Sequence, residues 1–291
     1  MIWKTGLAAL AVIVTMAGCA GETKKAASSL ESAERSCDRA MRNMGHIARC
    51  DRYVEAALAS GEQSEITKAY LLRSFMHEMR NDLPSALADT DRAIATWPDF
   101  TTAKRRRAQL MAGSGDYAGA RTLLTQLQGI DDDPAFDEVW ALIEYVDGDR
   151  TQVARLFRSA AESYLTEDDN PWMSANLDFT AAIVDSEMRH GDLQPIAATG
   201  DEVKQDDMLA LLWRHRMREI SDAELLRTVQ AMPKSPFGPL TCWAYFSIGH
   251  RNIVEGAQDA ALEGFRRASE DCRRSEFEYH AAKAWLKQLG A

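Results

Sequence analysis

Small residues recur along the middle of the chain with a period of 34, and that period restricts the fold more than any other feature. With Thr67 as position 1, Ser74 falls at position 8, Ala86 at 20, Ala93 at 27 and Pro98 at 32. A second set from Thr101 has Ala108 at 8, Gly115 at 15, Tyr117 at 17, Ala120 at 20 and Leu124 at 24. A third, from about Pro134, has Ala141 at 8, Gly148-Asp149 at the turn, Phe157 at 24 and Ala160 at 27. Two helices fit into one such period. Small residues at 8, 20 and 27 let them approach closely, while position 24 fills the space towards the next pair. Composition agrees, because 45 of the 291 residues are Ala against 8 Pro and 17 Gly, a balance that favours helix. The expectation is an all-α fold.

Start and stop signals divide the rest of the chain. Asp133-Pro134 and Asn170-Pro171 each set a capping residue before a proline at the start of a helix. The run Asp131 to Asp133 lacks the Gly and distal Glu of a calcium loop, so capping explains it better than an ion does. A helix is expected from Trp172 to His190, ending at Gly191-Asp192, and another from Met208 to Glu219. Ser221-Asp222-Ala223-Glu224 is a capping box that opens a helix running to about Met232. Three prolines between Pro233 and Pro239 then break helix and mark a hinge.

Ala69-Tyr70-Leu71-Leu72-Arg73-Ser74, followed by Asn81-Asp82-Leu83-Pro84-Ser85-Ala86, Ala93 and Trp97-Pro98-Asp99-Phe100, resembles a tetratricopeptide repeat, or TPR. The resemblance implies a superhelical solenoid of antiparallel helix pairs with helical end caps. It returns late in the chain, where a repeat starting at Cys242 has Trp243, Tyr245, Ile248 and Gly249 at positions 2, 4, 7 and 8, then Ala261, Phe265 and Ala268 at 20, 24 and 27. Phe277, Ala281, Ala284, Trp285 and Leu289 follow at helical spacing and read as the closing cap. Residues 30–60 read as the opening one.

The N-terminus is a processing signal. Lys4 precedes an apolar run from Gly6 to Thr15, and Met16-Ala17-Gly18-Cys19 follows. The run is too short to cross a bilayer, which needs about 20 apolar residues. Those last four residues resemble the lipobox of bacterial lipoproteins, with Met16 where Leu is commoner. The resemblance implies cleavage before Cys19 and lipidation there, with several acyl chains making a stable anchor. Ala20 in place of Asp then points to the outer membrane. Lipobox, TPR marks and C-terminal order together resemble the NlpI-type adaptor lipoproteins of the outer membrane.

Export places Cys37, Cys50, Cys242 and Cys272 in an oxidising compartment, where two disulfides are the simplest reading. Four cysteines permit three connectivities. Proximity favours Cys37 with Cys50 and Cys242 with Cys272, and the second pair joins positions 1 and 31 of one repeat, which an antiparallel pair sets side by side. Zinc is the alternative, but no CxxC or paired-His spacing supports it.

The chain shows little chemistry. The net charge is −10 and becomes −11 without Lys4, the opposite sign to that needed for general nucleic-acid binding. The histidines at 46, 77, 190, 215, 250 and 280 form no metal or nucleophile motif and read as helix-surface groups. No phosphate loop is present, no metal or cofactor is implied, and the pair Glu202 and Asp206 is of a kind that an acidic chain supplies by composition.

The expected site is therefore a groove. By TPR resemblance its lining comes from the first helix of each repeat, which names Lys68, Leu72, Phe75 and Met79, then Arg105, Arg106 and Gln109, then Glu138, Leu142 and Tyr145. Lys104 to Arg107 is a basic run suited to a peptide carboxylate, although a solvated helix face is the plainer reading. Phe75, Met79 and Tyr145 read equally as core. The expected order is signal peptide 1–18, tether 19–29, cap 30–66, TPR block 67–200, helical pair and hinge 201–241, and a C-terminal TPR with capping helix 242–291. The whole is expected to be a lipid-anchored periplasmic scaffold for envelope proteins or peptides, not an enzyme, with a homodimer left open. A pilotin or outer-membrane assembly factor is the alternative, and a cell-wall hydrolase the third.

Overall fold

The computed structural model describes residues 50–131, 133–166, 171–188, 208–232, 239–274 and 276–291, with Ser32 and Cys37. Cys19, the signal segment, the tether, Glu202, Asp206, His46, His190 and hinge residues 233–238 lie outside the described residues. Among those described, every regular element is a helix: α1 Cys50–Leu58, α2 Gln63–Met79, α3 Leu83–Thr96, α4 Thr101–Gly113, α5 Tyr117–Thr125, α6 Ala135–Asp147, α7 Arg150–Thr166, α8 Pro171–Met188, α9 Met208–Arg216, α10 Asp222–Ala231, α11 Leu240–Val254, α12 Gln258–Asp271 and α13 Phe277–Gln288. Among these, no helix is long and apolar enough to cross a membrane.

The 34-residue grid fixes the turns in three of its four sets, Gly148 at position 15 of the third having φ −146° instead. Position 15 is left-handed at Asn81 (φ 59°), Gly115 (φ 92°) and Gly256 (φ 75°), a conformation that Gly and Asn adopt at least cost. In each case the next residue's N–H reaches back five residues, from Asp82 to the His77 carbonyl (2.9 Å), Asp116 to Met111 (2.9 Å) and Ala257 to Asn252 (2.8 Å). This bond closes the end of the first helix. Asp82 then accepts the Ser85 N–H at 3.2 Å and Asp116 the Gly119 N–H at 2.9 Å, opening the second helix. Asp133 plays the expected capping role, accepting the Ala135 N–H at 3.0 Å, and Ser221 caps Glu224 at 3.2 Å.

The small grid residues pack as their size requires. Ser74, Ala86, Ala93, Ala108, Ala120, Ala141, Ala160, Ala261 and Ala268 are all fully buried. α11 and α12 approach closely, since a Cβ added to Gly264 would lie 2.6 Å from the Gly249 backbone nitrogen. The two disulfides are Cys37–Cys50 and Cys242–Cys272. The second joins the start of α11 to the end of α12 and so makes that pair antiparallel.

The chain divides into two compact units between Arg107 and Ala108, inside α4. In the first unit Cys37, Cys50, Tyr53, Val54, Ala57, Ala69, Leu72 and Met76 form one apolar cluster, and Leu71, Ala93 and Ala103 a second. Between α2 and α3 lies a buried carboxylate. Asp89 receives two hydrogen bonds from Arg73, both 2.7 Å, and one from Arg92 at 2.7 Å. Burial alone would raise its pKa, but these guanidinium bonds hold it below the usual carboxylate range.

In the second unit the largest core runs from Ala141 on α6 to Leu286 on α13. α13 packs against α12, α11 and α6. The last helix therefore does more than close an open end, because it returns to the first helix of the third repeat.

Candidate functional site

The expected groove residues separate into core and surface. Leu72 belongs to the apolar cluster of the first unit, while Leu142 and Tyr145 are buried in the second. Arg105 is only 7% exposed. These four do not line an open groove. Helical geometry explains the basic run, since consecutive residues are set about 100° apart and three of them span about 200° of the helix. Arg105 accordingly turns inward. Arg106 pairs with Glu78 and lies 5.8 Å from the Phe75 ring centre, and Arg107 pairs with Asp91 at 2.5 Å.

Lys68, Phe75, Met79, Gln109 and Glu138 are half-buried. Lys68 pairs with Glu65 at 2.9 Å, and Glu138 accepts the Tyr164 hydroxyl at 2.7 Å. Within the second unit, the face of α6 bearing Tyr145 is already occupied. Phe277, the first residue of α13, stands edge-on to Tyr145 (4.9 Å between ring centres), Phe157 (5.0 Å) and Phe246 (6.3 Å). Farther along, Trp285 stacks on Phe265 at 5.7 Å. Of the two readings of Tyr145, groove lining or core, the structure favours core, with α13 covering it.

Two titratable groups enter the interior with that helix. Glu278 is half-buried and lines a recess with Asn176, Phe179, Thr180, Ile183, Leu212, Trp243, Phe246 and Ser247. Burial pushes its carboxyl up to about 7, and the nearby Glu138 carboxylate adds to the rise against the opposing backbone hydrogen bond at Glu278. The recess holds about 260 Å³ of empty space, part of it open to solvent. His280 is fully buried, its Nδ1 is 2.8 Å from the Tyr117 hydroxyl, and its Nε2 has no hydrogen-bond partner among the described residues. Burial lowers its pKa to about 4, outweighing the Arg274 carbonyl, which pulls the other way.

A second cluster joins α9, α10 and α11. His215 is fully buried, with Nε2 2.8 Å from Asp222 Oδ1 and Nδ1 3.0 Å from the Ser247 hydroxyl. Asp222 also accepts from Asn252 at 3.1 Å. Because ionised Asp222 only accepts, it fixes the proton on Nε2, which leaves Nδ1 to accept from Ser247. Burial lowers the His215 pKa, against the pull of Asp222. The order Ser, His, Asp is that of a hydrolytic triad, but its environment is different. Ser247 lies within α11, where backbone N–H groups are spent in the helix and cannot form an oxyanion hole. Arg251 donates to the carbonyls of His215 (3.2 Å) and Ile220 (3.0 Å), closing the end of α9. The cluster clamps three helices together.

Sequence reasoning expected surface histidines, yet His215, His250 and His280 are buried. Asp222 stands seven residues from His215, but Ser247 stands 32 from it and Tyr117 163 from His280, too far for local spacing to reveal them. The sulfurs of Cys242 and Cys272, with Glu276 nearby, form the one metal-like grouping among the described residues. Both sulfurs are spent in the disulfide and offer no thiolate. No protein-family model and no curated protein matches the chain.

Proposed function

We propose that this chain is a lipid-anchored periplasmic TPR scaffold that binds envelope proteins or peptides and performs no chemistry of its own. The supporting observation is the agreement between the 34-residue grid and the helix pairs, with the same left-handed turn closing the first helix at Asn81, Gly115 and Gly256. Repeating pairs of this kind present an extended surface, the usual basis of scaffolding by solenoids. The disulfides favour an oxidising compartment. Attachment at Cys19 to the periplasmic face of the outer membrane follows from the lipobox resemblance.

Crosslinking the native lipoprotein in cells and identifying what it captures tests the scaffold reading directly. Recurrent envelope proteins are the expected result, and outer-membrane assembly clients alone would favour the assembly-factor alternative. A chain that captures nothing would overturn both. For the anchor, Cys19→Ala should abolish fractionation with outer membranes, and unchanged fractionation of an unlipidated chain would refute it. Purified protein should release nothing from peptidoglycan, with or without Ser247→Ala.

A further inference from the structure

Three arginines meet at one recess between the end of α9 and the last turns of α11. Arg216, Arg218, His250, Arg251 and Glu255 line it, and it holds about 290 Å³ of empty space, part of it open to solvent. The lining thus sets three guanidiniums against one carboxylate, in a chain whose net charge is −10. Arg216 is buried, with Nη1 3.4 Å from His250 Nδ1 and Nη2 3.5 Å from the Ala182 carbonyl. Arg251 is held by its bonds to the carbonyls of His215 and Ile220. The Nε atoms of Arg218 and Arg251 approach the same oxygen, Glu255 Oε1, at 3.1 and 3.0 Å. Asp222, 3.7 Å from Arg251, is already bonded to His215 and Asn252. The two terminal nitrogens of Arg218 have no hydrogen-bond partner among the described residues.

Arg218 also stands where an arginine is costly. Its φ is 62°, and the Glu219 N–H reaches back to the Arg214 carbonyl at 2.9 Å, so it closes α9 as Asn81, Gly115 and Gly256 close their helices. Every other left-handed residue among those described is Gly or Asn, the types that adopt this conformation at least cost. The helix dipole does not explain the exception, because Arg214 and Arg216 already occupy the last turn of α9. The pair with Glu255 explains little, because Arg218 is largely exposed there. Strain kept in this way is a mark of a functional position.

We propose that this recess is a phosphate-binding site, taking a free phosphate or the headgroup of a phosphomonoester lipid. Its guanidiniums come from two elements, α11 and the end of α9 with its turn, so donors converge from more than one direction. A tetrahedral oxyanion accepts in that arrangement, whereas a planar carboxylate is best met by a single guanidinium fork. Phosphate also carries more charge than the Glu255 carboxylate with which it competes for Arg218. The site goes beyond the scaffold reading and stands without it.

The test uses residues 20–291, so that no lipid anchor masks vesicle binding. The probes are inorganic phosphate, acetate, and vesicles of phosphatidylcholine with or without phosphatidic acid, all at one ionic strength. Phosphate should bind saturably in calorimetry and raise the melting temperature, and acetate should bind at least about tenfold more weakly. Arg218→Gly removes one guanidinium and relieves the left-handed strain. It should melt no lower than wild type in phosphate-free buffer, yet bind phosphate at least about tenfold more weakly. Recruitment to phosphatidic acid that Arg218→Gly abolishes assigns the lipid source, and binding of soluble phosphate without recruitment assigns the free one. No saturable binding of phosphate overturns the proposal, as does equal binding of acetate or binding that Arg218→Gly leaves unchanged. A clearly lower melting temperature of Arg218→Gly also overturns it, because the arginine then serves the fold.

Discussion

The first unit and α13 of the second bury charge-bearing groups in opposite ways. In the first, Asp89 is enclosed but answered by Arg73 and Arg92, and Glu78 by Arg106. In the second, Glu278 and His280 travel inward on α13, and the described residues supply no counter-charge among the causes of either shift. Pairing keeps a buried group charged. Its absence drives both groups of α13 to their neutral forms, which is the cheaper way to be buried. The difference teaches that paired groups such as Asp89 serve as structure, whereas α13 carries its two groups inward unanswered.

Each unit carries one disulfide, which gives the first means of comparing them. The Cys242–Cys272 bridge spans 30 residues and Cys37–Cys50 spans 13. On chain-entropy grounds, replacing the first pair by Ala should cost about 3.5 kcal/mol and replacing the second about 3 kcal/mol. Urea unfolding of the two double variants measures this, and a clearly larger loss at Cys37–Cys50 would show that the order does not follow loop length.

Asp89→Leu should destabilise the chain by about 3 kcal/mol, since it strands Arg73 against a buried site. The partial exposure of Arg73 and Arg92 keeps the loss from being greater. Glu278→Leu should do the reverse, raising stability by about 1 to 2 kcal/mol at pH 8, because it removes a desolvated carboxylate without breaking an ion pair. Thermal melts of both variants test the contrast. Losses of similar size at the two positions would erase it.

The smallest effect is a pair of opposed pH slopes. Glu278 has a folded pKa of about 7 against an ordinary 4.5, so its share of stability is full below the ordinary value and is lost as pH rises to about 7. His280 has a folded pKa of about 4 against an ordinary 6.5, so its share is full above the ordinary value and is lost as pH falls to about 4. Between these ordinary values the unfolded pair is doubly charged and the folded pair doubly neutral, with the same number of bound protons. The slopes cancel there. His280→Gln should therefore make stability fall with rising pH relative to wild type, and Glu278→Gln should make it rise, each by at most about 1.4 kcal/mol per pH unit. Parallel curves for the three proteins would show that these groups are not buried as described.

What the sequence determined was local. The period, the Asp caps at Asp82, Asp116 and Asp133, the left-handed turns at position 15 and the pairing of Cys242 with Cys272 all join residues of one helix pair or its neighbour. Short-range spacing is enough to specify such features. Burial of Arg105 was nearly as accessible, because three consecutive arginines cannot share one helix face. The clustering of His215 with Ser247 and Asp222, the union of His280 with Tyr117, and the use of the α6 face by α13 were decided only by tertiary structure. They depend on which helices meet after several turns of chain, and packing of apolar surface settles that without regard to sequence distance. Hydrophobic attraction is non-directional, so the amphipathic stripe of α13 said that it would be covered and left open by what.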